Sequence, residues 1–453
     1  MTDVRQTRSM SFGRRVHAPP ELAEPASNPG DVVLRVELLG IEPVIWRRIR
    51  VGQDARLPDL HTIVNAAMGW LDCHLHSFRV EDNAPFLTNI DLIEGSDAGI
   101  HEGSVRVSQV LCSVGDELMY DYDFGDGWEH RITLEEILPS IESTVPHVLD
   151  GARACPPEDC GGIPGYGELL RARQATSPDE HQRMLLDWCP PGWDPERFDV
   201  DRHNRVVNAL MNPQPLDDVR PELIELIDSS ATRKELLVTL QMTEFSQHPP
   251  TEQEMADAVR PFQLLLDAVD DGVTLSKAGW LPPTVVKRLA TTLGVPSWIG
   301  QNNREQHTRP VQDYRRTLTH LGLLKVRKGE LSRTQIGMKL SGDPRELFFY
   351  IAMKLPLGRD DFDRHAGWLC LLHRAAGIPD STYGDWVADQ LMLLGWAPPG
   401  ESPVSAFEVY EVTRDTACAL GRDAWELSIV SQEGSLALAQ AALLRPDVLR
   451  YSI

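Results

Sequence analysis

Basic residues are scarce in this chain. Its 453 residues hold 44 Lys and Arg against 67 Asp and Glu, a formal net charge of −23. A uniformly acidic surface repels nucleic acid and anionic membranes, so any phosphate-binding role needs a local basic patch. Long apolar runs are missing as well. No stretch approaches the roughly 18 consecutive apolar residues of a membrane span, and no membrane partner is expected. The opening MTDVRQTRSMSFGRRVHAPP carries positive charge but no apolar core, so it does not read as a secretory signal. Cysteines are few and odd in number, seven in all. That argues against a disulfide framework and fits a reducing cytoplasm. There is no nucleophile elbow, phosphate loop or dinucleotide fingerprint, and no repeat of fixed period.

What is present is ordinary globular composition, 42% apolar and 25% charged, spread over a length that predicts about two to four domains. Residues 1–29 are Pro, Ser, Ala and Arg rich without a period and are expected to be a disordered tail. Residues 30–212 mix strand and helix signals. Residues 213–272 read as an acidic helical connector with a joint at HPPTEQE, His248 to Glu254. Residues 273–345 form a basic unit, and 346–453 are helix after helix. The predicted fold class is α+β at the N-terminus, with antiparallel hairpins and packed helices. A mainly helical C-terminal half follows, containing a winged-helix-like unit.

In the first unit, VVLRVELLGI and VIWRRIRVG alternate like two strands around turn residues Gly40 to Pro43. LPDLHTIVNAAMGW has a helical stripe of Leu60, Ile63, Val64, Ala67, Met68 and Leu71. HLHSFRV returns to strand. The clearest hairpin is ELMYDYDFGDGWEHRITLEEIL. A two-residue turn at Asp126-Gly127 would oppose Phe124 to Glu129. A three-residue loop, Gly125 to Gly127, pairs Phe124 with Trp128, Tyr122 with His130 and Tyr120 with Ile132, gathering the apolar residues on one face. The three-residue loop is therefore expected, with Gly127 at positive φ. On the other face it sets Asp121 opposite Arg131 and Asp123 opposite Glu129. Two facing carboxylates destabilise a ladder unless a cation or proton is shared, so Asp123, Glu129 and Asp126 are candidate cation ligands. Exposure to water is the simpler account of the same face.

A second candidate is Cys155-Pro156-Pro157-Glu158-Asp159-Cys160, two thiols and two carboxylates in six residues. Cys-x4-Cys lies within zinc-ligand spacing, and His74 with His76, on one face of a strand, or Cys189 would complete a site. The proline pair and Gly161-Gly162 equally suit a stiff structural loop. If this loop reaches the hairpin, one centre unites Asp123, Glu129, Glu158 and Asp159.

The blocks LRVELLGIEPVIWRRI, LPDLHTIVNAAMGWLDCHLHSF, YDYDFGDGWEHRITLE and DGARACPPEDCGGIPGYGELL, in that order and spacing, resemble the plasmid pRiA4b ORF-3-like family over roughly residues 31–210. The resemblance implies a bacterial protein of a family linked to plasmids and other mobile elements. It brings no reaction with it and says nothing of residues 213–453. Cys73 stands where an aromatic residue is common in relatives, so the resemblance assigns it no role.

Residues 273–345 hold 13 Lys/Arg and 4 Asp/Glu, a net of +9 that leaves −32 on the rest of the chain. LPPTVVKRLATTLG and PVQDYRRTLTHLGLL read as two helices, the second with an apolar face of Val311, Tyr314, Leu318 and Leu321. LLKVRKGELSRT reads as a hairpin turning at Lys328-Gly329. The segment is similar to winged-helix sequences, in which the second helix enters the major groove and the wing lies near phosphate. Arg315, Arg316, Lys325, Arg327 and Lys328 are the candidate nucleic-acid contacts, and docking of a protein partner is the other use of such a unit. Two functions follow. One is a non-catalytic accessory protein binding nucleic acid or a partner through 273–345. The other is a metal-dependent hydrolase with a divalent cation at the 121–130 hairpin and the 155–160 loop.

Overall fold

The computed structural model describes residues 18–81, 83–88, 99–139, 145–190, 192–244, 249–270, 272–295, 303–396, 403–421 and 430–451. The expected tail falls outside these for residues 1–17, as does His248 of the expected joint. The chain divides into two compact units, Met1–Met211 and Asn212–Ile453.

In the N-terminal unit, β1 (Asp31–Leu38) and β2 (Ile45–Gly52) pair antiparallel. They join β3 (His76–Arg79), β4 (Glu117–Tyr122), β5 (Trp128–Leu138) and β6 (His147–Ala152) in a six-stranded sheet of order β3-β4-β5-β1-β2-β6. All five neighbouring pairs are antiparallel. Alternation buries Val32, Leu34, Val36 and Leu38 while Arg35 and Glu37 reach the surface and pair with each other. Helix α1 (Leu57–Met68) presents Leu60, Ile63, Val64 and Ala67 to the same core and ends at Gly69, whose φ of 105° only glycine adopts readily. Leu71, assigned by periodicity to the helical stripe, lies beyond this stop and is exposed.

Arg47 fixes where α1 ends. Its side chain is buried and donates to Ala67 O at 2.7 Å and Met68 O at 3.3 Å, two carbonyls that the helix itself cannot satisfy. It also donates to Trp46 O and Ala152 O and stacks 4.1 Å from the Phe198 ring. Burial lowers its pKa to about 10. Residues 18–29, expected to continue the tail, contain no regular element but are docked: Ala23 N donates to Gln109 O, and Leu22 packs against the core.

The C-terminal unit has one core running from Val219 to Leu449, so the connector, basic unit and helical segment expected from the sequence share their apolar interior. Within it, α2 (Arg233–Gln241) and α3 (Glu252–Ala268) are followed by β7 (Val273–Thr274), α4 (Pro283–Thr292), α5 (Arg309–His320), β8 (Leu324–Arg327) and β9 (Glu330–Arg333). The three strands are ordered β7-β9-β8. The β8–β9 turn is Lys328-Gly329, both at positive φ, as a two-residue hairpin turn requires. No helix among the described residues is long and apolar enough to cross a membrane.

Candidate functional site

The hairpin tip corrects the expected register. Tyr122 pairs with Trp128, Tyr120 with His130 and Leu118 with Ile132, two residues away from the expected pairing. A shift of two preserves the faces, so hydrophobic pattern alone cannot distinguish the registers. Asp123 decides. It leaves the strand at φ 55°, and its Oδ1 accepts from the amides of Gly125 and Asp126 at 2.9 and 3.3 Å. Its carbonyl accepts from Gly127 N at 2.6 Å and its amide donates to Leu75 O. The loop is thus five residues, Asp123 to Gly127, closed by an Asp side chain. Phe124, expected in the core, is 59% exposed, whereas Tyr120, Tyr122, Trp128 and Ile132 are fully buried.

The register also corrects the carboxylate pair. Glu129 faces Asp121, not Asp123. Asp121 is compensated by Ser77 Oγ and Arg79, and Glu129 is exposed and outside the acidic cluster described below.

The loop following β6 reaches the hairpin tip. Trp70 Nε1 donates to Pro156 O at 3.0 Å, and Gly161 N donates to Asp126 Oδ2 at 3.1 Å. Gly162, at φ 64°, lies so close to Asp126 that a Cβ there would sit 2.5 Å from the Asp126 carbonyl oxygen. Asp126 therefore clasps two loops together, and it is not among the groups that converge on His74 among the described residues. Glu158 is held by one oxygen only: Oε1 accepts from Leu71 N at 2.9 Å and from Tyr122 Oη at 3.0 Å. Tyr122 Oη in turn accepts from Cys73 N.

These constraints bring His74, Asp123, Glu158 and Asp159 together. His74 Nε2 lies 3.6 Å from Asp123 Oδ2, 3.7 Å from Glu158 Oε2 and 3.4 Å from Asp159 Oδ1. His74 Nε2 and Glu158 Oε2 are buried atoms without a hydrogen-bond partner. Asp123, only 6% exposed, directs Oδ2 at the same point with no hydrogen bond to it among the described residues. The donor atoms of His74, Asp123 and Asp159 lie within 4.8 Å of one another, as do those of Cys73, His74 and Glu158. Nitrogen and carboxylate oxygens at this separation can converge on one divalent cation of the Mn or Zn type. Burial raises the Glu158 pKa, against the two hydrogen bonds that favour its charge. Burial, then the Glu158 charge, raises Cys73.

The other ligand candidates fall elsewhere. His76 and His74 do not share a strand face, because β3 begins only at His76 and Asp72, at φ 55°, turns the chain before it. His76 Nε2 contacts Glu102 at 3.1 Å, and its ring stacks 3.6 Å from His61. His61 bridges Asp72 and Tyr120. Cys155 is buried and Cys160 half-buried, and burial pushes both thiols up to about 12. Neither they nor Cys189 join the cluster among the described residues. Sequence reading missed Tyr122 as the hydroxyl that orients Glu158. Its alternation with Tyr120 pointed to the core, where its ring does lie.

The profile of the plasmid pRiA4b ORF-3-like protein family matches residues 31–202. The uncharacterized protein y4hQ of Sinorhizobium fredii (strain NBRC 101917 / NGR234) is 35% identical over 181 residues, which is 40% of this chain and 91% of that protein. The chain belongs to the plasmid pRiA4b ORF-3-like family. A crystal structure of a protein of unknown function, MM3350 from Methanosarcina mazei Go1, is 33% identical and covers 38% of this chain and 96% of its own, with a TM-score of 0.34. The family match contains all four groups of the cluster and ends before the C-terminal unit.

Beyond the family match lies the basic segment. Arg315 is not free: it makes a two-oxygen contact with buried Glu305 at 2.8 and 2.7 Å and donates to Gly279 O. Arg316 Nε donates to Asp415 Oδ1 at 2.7 Å, where Thr317 Oγ1 and His320 Nδ1 also bind the same carboxylate. Asp415 sits on the short helix α6 (Arg414–Ala419). Helix α5 therefore buries a second face, including Asp313 and Thr317, beyond the predicted stripe of Val311, Tyr314, Leu318 and Leu321. Burial raises Asp313, against Arg414 and Arg316 beside it. Lys325, Arg327 and Lys328 remain exposed on the hairpin.

Proposed function

We propose that the N-terminal unit binds one divalent cation through His74 Nε2, Asp123 Oδ2 and Asp159 Oδ1, with Glu158 Oε2 beside the same imidazole. The supporting observation is the convergence of these four groups from three chain segments at 3.4–3.7 Å around His74, with buried donor atoms left without hydrogen bonds. Orphaned buried polar atoms are costly, and a cation on His74, Asp123 and Asp159 is a partner that would satisfy those that face it. A cation so held, with Asp159 on the solvent side, would supply the lowered pKa of a bound water that hydrolysis requires. A metal-dependent hydrolase of the bacterial cytoplasm is the reaction class this supports. Metal analysis and calorimetric titration of the purified chain with Mn²⁺ and Zn²⁺ test the reading. One equivalent is expected, lost in His74→Ala and Asp123→Asn and retained in Cys155→Ser. Absence of binding to the wild-type chain would reduce the cluster to a surface ion-pair network.

A second reading rests on the order helix, strand, helix, helix, hairpin with strands β7-β9-β8, a topology in keeping with a winged helix. Contact with nucleic acid would then run through Lys325, Arg327 and Lys328, which make no ion pair among the described residues, and not through Arg315 or Arg316. Phosphate contacts of this kind weaken with salt at a slope of about −0.9 per contact. A filter-binding titration across salt concentration measures that slope. A protein partner of acidic surface is the outcome if no slope appears.

A further inference from the structure

We infer that the metal-loaded site takes a neutral acyl ligand bearing an apolar group, an amide-like carbonyl compound, and excludes phosphate esters. This rests on the cation proposed above and concerns what surrounds it. The residues whose backbones hold the cluster carry exposed apolar side chains. Leu71, whose amide binds Glu158, is 47% exposed. Leu75, whose carbonyl binds Asp123, is 48% exposed, and Phe124, the next residue after Asp123, is 59% exposed. Exposed apolar side chains on the segments that hold a small polar centre are the usual composition of a ligand site.

The charge balance selects against anions. The three carboxylate side chains around His74 outnumber, in formal charge, the two positive charges of one divalent cation. No lysine or arginine pairs with His74, Asp123, Glu158 or Asp159 among the described residues. Sites that bind phosphate supply arginine, lysine or a helix N-terminus to meet its charge. Here a neutral carbonyl oxygen can meet the cation while its substituent covers Leu71, Leu75 and Phe124.

The test uses the full chain loaded with Mn²⁺ and three probes: hexanamide, acetamide and inorganic phosphate. Calorimetry is expected to show hexanamide binding at least roughly tenfold more tightly than acetamide, since its longer chain covers apolar surface, with no saturable heat from phosphate. Phe124→Ala should shrink that ratio while leaving the Mn²⁺ affinity unchanged, and hexanamide should not bind the metal-free chain. Equal affinity of the two amides, preferential binding of phosphate, or equal binding without metal would each overturn the inference while Mn²⁺ binding stood. Failure of Mn²⁺ itself to bind would remove the cation reading and the ligand with it.

Discussion

Protonation of His130 should destabilise the N-terminal unit from within. The ring is fully buried between Tyr120 and Trp70. Nδ1 lies 3.2 Å from the Tyr120 carbonyl, which can only accept, so Nδ1 carries the proton of the neutral ring. Nε2 is buried with no partner. A second proton would place both a charge and an unsatisfied donor there, facing the repulsion of Arg47. Burial, opposed by the backbone carbonyls, lowers the pKa from 6.5 to about 4. Between those values the unfolded chain binds the proton and the folded chain does not, so stability is full above pH 6.5 and falls as pH drops through it. At pH 5 the loss from this one residue is about 2 kcal/mol. Urea denaturation at pH 7 and pH 5, followed by tryptophan fluorescence, measures it. The wild-type chain should lose about 2 kcal/mol more than His130→Phe across that interval. Equal losses would refute the assignment of a buried neutral imidazole. So would an NMR titration of the ring with its midpoint near 6.5.

Other perturbations separate core from tip. Trp128→Ala should cost about 3–5 kcal/mol, while Phe124→Ala, exposed, should stay within about 0.5 kcal/mol by the same denaturation. Gly162→Ala forces a Cβ against the Asp126 carbonyl at a positive φ. It should cost about 1–3 kcal/mol and weaken Mn²⁺ binding, because the clasp positions Glu158 and Asp159. Arg315→Ala leaves Glu305, 2% exposed, without its cation and should destabilise the C-terminal unit by about 3 kcal/mol, read as a lower melting temperature. Reversing Lys325, Arg327 and Lys328 to Glu should abolish salt-sensitive binding to duplex DNA without lowering the melting temperature. Unchanged binding would exclude the hairpin as the contact.

Elements with strong periodicity were legible. The stripe of α1, the alternation of β1 and β2, and the Lys328-Gly329 turn all follow from local rules that tertiary contacts did not override. Whether the 155–160 loop meets the hairpin was open in the sequence, and only the tertiary contacts of His74 with Asp123, Glu158 and Asp159 bring the two together. The register was not legible, because a shift of two keeps every side chain on its face and only the Asp123 side-chain bonds distinguish the alternatives. His74 and His76 were placed on one face by extending strand alternation back to His74, whereas the strand begins only at His76. Arg315 and Arg316 looked free because their partners, Glu305 and Asp415, lie 10 and 99 residues away. One apolar stripe on a helix does not reveal that a short helix far along the chain will cover a second face.

Backbone conformation ties the site's position to its chemistry. Asp72, Asp123 and Asp159 are three of the seven non-glycine residues with positive φ among the described residues, and all three lie in the segments that form the cluster. Left-handed backbone costs about 1 kcal/mol or more for an ordinary side chain and less for Asp, which hydrogen-bonds locally. Each departure turns the chain just before or at a site residue. Asp72 ends the approach from α1 and frees His74 from the strand. Asp123 ends β4 and sends Oδ2 away from the ladder. Asp159 swings its own carboxylate beside His74. A fold selected only for stability would relax such positions toward glycine or extend the strands through them. Their concentration around unpaired donor atoms is the arrangement expected where local stability has been given up to hold ligand groups in place.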